Sequence, residues 1–164
     1  MVAIFSISNQ IDMTDKTKIG NSFYAYAFED ISGSNIFQLS ENLSETIWSE
    51  YIDKKADTYF HLSEDNWLIN SGERSVVSWF EDFRGGNPSN VGNALKMAVS
   101  WSDEDIIWYC INKSSIIECF WREFQAFWID FLCAHNDAPI IINGKYKLCG
   151  FVFYSSEVVF VGGC

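Results

Sequence analysis

At 164 residues, with 48% apolar and 17% aromatic side chains, the chain can bury one self-sufficient core and is too apolar for a disordered or fibrous protein. Two prolines and ten glycines leave little material for long linkers. Acids outnumber bases 22 to 11, and a formal charge of −11 argues against unassisted nucleic-acid binding, which needs clustered Lys and Arg.

Residues 2–7 and 22–29 (FYAYAFED in its later part) read as strands. The segment 42–54, NLSETIWSEYIDK, predicts a helix, because Leu43, Ile47, Trp48, Tyr51 and Ile52 share one face. Asn42 with Glu45 has capping-box spacing, and Ser40 is the rival cap. The stretch 73–83 fits a helix or a strand equally, and Arg84 to Pro88 breaks the chain before a short helix over 89–99. Strands follow at 105–111 and 115–119, joined by Asn112-Lys113-Ser114.

The strongest periodicity lies at 120–133. Phe120, Trp121, Phe124, Phe127, Trp128, Phe131 and Leu132 make an aromatic stripe opposite Arg122, Glu123, Gln125 and Asp130. Short strands at 139–142, 147–154 and 157–161 complete the pattern. The expectation is a single-domain α+β fold over 1–164, with the aromatic helix packed on a mostly antiparallel sheet.

Five cysteines, odd in number and without a C-x-x-C spacing, read as reduced and mostly buried thiols. The N-terminus lacks a basic n-region, and no run approaches the roughly 20 apolar residues of a membrane span. A cytoplasmic protein without membrane contact is expected. Cys133, His135 and Asp137 alternate, but nothing in the sequence completes a four-ligand zinc site, so neither metal nor cofactor is expected. Nucleophile elbows, P-loops and dinucleotide fingerprints are absent from the sequence, which points away from an enzyme. Glu118, four residues before Arg122, is expected to pair with it.

The charge is concentrated. Residues 41–65 and 101–137 each carry seven acids and two bases, together −10 of the −11. Such segments can steer a basic partner, with aromatics as anchors. In the first, the candidate docking residues are Glu45, Glu50, Asp53, Asp57, Glu64 and Asp65, with Trp48 and Trp67 beside them. In the second they are Asp103, Glu104 and Asp105, with Trp101.

The Trp48-x-x-Tyr51-Ile52 helix and the pattern Glu118, Trp121, Phe124, Trp128, Phe131, Leu132 resemble an uncharacterised family of small bacterial proteins, known only as a domain of unknown function. That resemblance spans about residues 22–160, is carried by core aromatics, and implies a fold. The short, acidic, Trp-rich chain is also similar in style to bacterial immunity proteins of contact-dependent growth inhibition and other polymorphic-toxin systems. This second resemblance implies a one-to-one inhibitor that occludes the active site of a cognate toxin domain, typically a basic nuclease of RNase type. The alternatives are a small cytosolic enzyme or a non-catalytic accessory subunit.

Overall fold

The structure, a computed structural model, describes residues 15–29, 31 and 34–163. Among them are eight strands: β1 (Lys16–Lys18), β2 (Phe37–Leu39), β3 (Glu73–Ser78), β4 (Ile106–Asn112), β5 (Ser115–Phe120), β6 (Ile140–Asn143), β7 (Cys149–Phe153) and β8 (Glu157–Gly162). They join in the order β1-β2-β5-β4-β6-β7-β8-β3, with every neighbouring pair antiparallel. The helices are α1 (Glu41–Tyr51), α2 (Trp67–Asn70), α3 (Phe80–Gly85), α4 (Ser89–Ala98) and α5 (Trp121–Ala134). This is the expected α+β domain, with helices on both faces of the sheet.

Period-two alternation sorts the strands between two cores. Ile107, Tyr109 and Ile111 of β4, with Phe151 and Phe153 of β7, face α4 and α5. Trp108 and Cys110 of β4, Ile140 and Ile142 of β6, and Val159 and Val161 of β8 face α1 and α2. On the first side the α5 stripe becomes an aromatic stack. Trp121 lies parallel to Phe151 at 5.7 Å, Trp128 to Phe153 at 6.3 Å, and Phe131 packs on Tyr109 at 5.1 Å. Such ring pairs contribute about 0.5–1.5 kcal/mol each beyond the area they bury. Gly92 lets α4 cross α5 closely, since a Cβ there would meet the Gln125 carbonyl oxygen at 2.5 Å.

Local chemistry sets the helix ends. Ser40 is the cap of α1, its Oγ accepting the Leu43 N–H at 3.3 Å. Glu123 opens α5 by accepting the Phe120 N–H at 3.1 Å, and its other oxygen accepts the Asn35 N–H at 2.7 Å. The ambiguous stretch 73–83 is both of its readings in turn, β3 and then α3.

Several expectations are corrected. Residues 22–29 do not form a strand; Ala25–Ala27 is a 3-10 turn. Ser22 explains it: its Oγ donates to the Ile19 carbonyl at 2.7 Å and accepts the Tyr24 N–H at 3.2 Å, offering the backbone local partners instead of a ladder. The strand expected over 2–7 lies outside the described residues. Phe127 is only half-buried, because its φ of −115° and ψ of 16° kink α5 there. Glu118 does not pair with Arg122. It lies on the Trp108 face of the sheet, whereas α5 covers the other face. Cys149 is disulfide-bonded, while Cys110, Cys119 and Cys133 are free thiols.

Candidate docking surface

The two acidic segments meet opposite fates. In the second, the fold consumes most of the charge. Asp105, 1% exposed, accepts hydrogen bonds from Lys145, from Asn143 Nδ2 at 3.1 Å and from the Ser102 N–H at 3.0 Å. Burial opposes ionisation here, but these donors outweigh it and hold the carboxyl below the usual range. Glu118 bridges Lys16 at 2.5 Å and the Trp108 indole N–H at 2.9 Å. On the surface, Asp103 pairs with Lys96 at 3.6 Å and Glu104 with Arg122. Trp101, expected as an exposed anchor, is buried between Trp121 at 5.0 Å and Phe151 at 5.4 Å.

In the first segment the charge faces outward. Glu41, Glu45, Glu50, Asp57, Glu64 and Asp65 are exposed. Glu50 pairs with Lys147 at 2.7 Å and Asp57 with His61 at 2.5 Å, which lowers the Asp57 pKa. Glu41, Glu45, Glu64 and Asp65 form no ion pair among the described residues. Trp48 is not available as an anchor. It is wholly buried, its indole N–H donating to the Ala56 carbonyl at 2.8 Å, because the apolar face of α1 points at the sheet. Trp67 is half-buried, its indole N–H donating to the Tyr51 carbonyl at 3.0 Å.

The loop from α1 to α2 is held firmly. Asp53 Oδ1 accepts the Lys55 and Ala56 N–H groups at 2.7 Å each, and Oδ2 accepts Asn66 Nδ2 at 3.2 Å. The Ala56 bond leads in keeping this carboxyl below its ordinary range. Asn66 also donates to the Ile52 carbonyl and caps α2 through the Leu68 N–H at 2.9 Å. Tyr59 and Tyr154 share a 2.5 Å hydroxyl contact, and Tyr154 donates to Glu73 at 3.2 Å, which ties the loop to the sheet. Between the end of α1 and the start of α2 opens a cleft of about 450 Å³, lined by Asp53, Lys54, Lys55, Asp65 and Trp67 among others.

A family model for proteins of unknown function matches residues 25–162. The chain belongs to the DUF2947 family. No curated protein and no solved structure matches it. The resemblance to an uncharacterised family therefore holds, over nearly the residues expected.

In this DUF2947 member, the structure brings Glu45, Glu50, Asp53, Asp57, Glu64, Asp65 and Trp67 onto one layer of α1, loop and α2. It removes Trp48, Trp101 and Asp105 into the interior and leaves Asp103 and Glu104 paired. Two features of the layer were not singled out from sequence. Phe60 is 69% exposed, and Lys54 and Lys55 border the cleft. The run Asp57 to Asp65 held the signal for Phe60, an apolar ring between acids in a loop. Free thiols offer little nucleophilicity, since burial pushes Cys110 and Cys119 well up and also raises Cys133. Among the described residues, no group of three or more His, Cys, Asp or Glu is placed to hold a metal ion. No helix there is long and apolar enough to cross a membrane.

Proposed function

We propose that the protein is a non-catalytic inhibitor that binds a basic protein domain one-to-one through the α1–α2 layer, as an immunity protein binds its toxin. One observation carries the reading. Four carboxylates of this layer, Glu41, Glu45, Glu64 and Asp65, stand exposed with no ion pair among the described residues, while in the other acidic segment Asp103, Glu104, Asp105 and Glu118 are each paired with a cation. Unpaired exposed acids raise the local negative potential and accelerate encounter with a basic partner, and they repel acidic competitors. Phe60, Tyr59 and Trp67 supply aromatic surface beside them, the residue type that anchors interfaces. A basic nuclease toxin fits this chemistry, because its substrate cleft must itself be positive.

The test is co-expression with the product of the adjacent upstream gene, read by rescue of growth and by co-purification. Rescue is expected, and Glu41→Lys with Glu45→Lys should weaken it while the protein stays folded. Loss of both readouts with well-folded wild-type protein overturns the reading.

A further inference from the structure

We infer that the cleft between α1 and α2 is a receptor for an arginine side chain, presented by the basic partner of the proposed function. The inference deepens that reading and rests on it for the partner, though not for the cleft's chemistry.

Glu41, Glu45 and Ser49 lie at i, i+4 and i+8 on α1, a single row along one helix face. Ser49 is also a wall of the cleft, so the acidic row leads into it. Inside, the two carboxylates are each half-used. Asp53 Oδ1 is occupied by two backbone N–H groups, and its Oδ2 has one long contact with Asn66. Asp65 Oδ1 accepts the Ser63 hydroxyl, and its Oδ2 has no hydrogen-bond partner among the described residues. Each oxygen pair can therefore take a further donor.

Trp67, half-buried, adds apolar surface. The Trp67 N–H is spent on Tyr51, so what Trp67 offers a ligand is its π surface. Carboxylate oxygens and an aromatic ring lining one cleft match a guanidinium on its methylene stem. The planar fork bonds carboxylates, the weakly hydrated plane stacks on rings, and the stem packs on apolar surface. A lysine ammonium is a strongly hydrated point charge that cannot stack in the same way. Lys54 and Lys55, both exposed, carry the opposite sign at the rim. They oppose a purely cationic ligand, and suit the backbone carbonyls of the segment that bears the arginine. The held turn at 53–56 means that the site is formed before the ligand arrives, which lowers the ordering cost.

The experiment titrates the full-length protein with N-acetyl-arginine-amide, and in parallel with N-acetyl-citrulline-amide, its neutral isostere. The readout is the NMR resonance of the Trp67 indole N–H. A saturable shift with the arginine probe, at least tenfold weaker with citrulline, is expected. Asp65→Asn should abolish the shift while leaving the rest of the spectrum unchanged. Equal response to both probes, no saturable response, or a response that survives Asp65→Asn overturns the inference. A saturating arginine response without any partner in co-expression would leave the cleft standing and remove the inhibitor reading. Partner binding that ignores Asp65→Asn would place the partner on this layer outside the cleft.

Discussion

Residues 41–65 and 101–137 carry the same charge, −5 each, and the fold uses it in opposite ways. The later segment runs through two central strands, β4 and β5, and into the main helix, so three of its acids fall where burial forces pairing. Asp105, Glu118 and Glu123 are all buried and all hydrogen-bonded. The earlier segment is a helix and loop laid over one face of the sheet, with apolar side chains turned in and acids turned out. Lys145 and Lys147, on the connection between β6 and β7, reach one acid of each segment, Asp105 and Glu50. Equal formal charge in a sequence is therefore not equal charge at a surface. What matters is whether a carboxylate must satisfy itself inside the fold or is free to act on something else.

The contrast can be broken by substitution. The largest effect is expected from the aromatic core of the later segment: Trp128→Ala should cost about 3–5 kcal/mol, read from the denaturant midpoint. An unchanged midpoint would remove α5 from the core. Glu118→Ala should come next, near 3 kcal/mol, because it strands the Trp108 N–H and a partly buried Lys16 ammonium.

Asp105→Ala should cost about 1–3 kcal/mol by orphaning the Ser102 N–H and Asn143. The wild-type contribution has a pH signature. The folded pKa of Asp105 lies below the unfolded value of about 3.9, so its stabilisation is complete above that pH. It is lost as pH falls through the folded value. Denaturation of Asp105→Ala should therefore show a shallower acid limb than wild type, and identical limbs would place the acid sensitivity elsewhere.

The earlier segment should behave in reverse. Glu41→Lys with Glu45→Lys should leave stability within about 0.5 kcal/mol, yet slow association with a basic partner roughly tenfold at low salt. The difference should shrink as salt screens it. Asp103→Asn should leave association unchanged and alter stability by at most about 1 kcal/mol, since its pair with Lys96 is solvent-exposed. A large effect on partner association from Asp103→Asn would make the second segment part of the interface and end the contrast.

The α5 stripe, the β4–β5 hairpin, the β6–β8 run and the α1 face were all legible from residue order, because period and turn chemistry are local. So was the choice between caps narrowed to Ser40 and Asn42. The site was legible only as charge density. Trp48 and Trp67 look alike in sequence, both beside acids, but one points at the sheet and the other borders the cleft. Trp101 precedes three acids and is nonetheless enclosed by Trp121 and Phe151.

What the sequence by itself determined is the fold class, the main amphipathic elements and the total charge of each segment, since these follow from side-chain period and composition along short stretches. What only the tertiary structure decided is which carboxylates remain available. Glu118 finds Lys16 across 102 residues and Asp105 finds Lys145 across 40, while Glu41, Glu45, Glu64 and Asp65 meet no cation among the described residues. The reason is physical: a buried carboxylate must be paired by whatever donor the topology delivers, and topology joins residues that no local pattern connects.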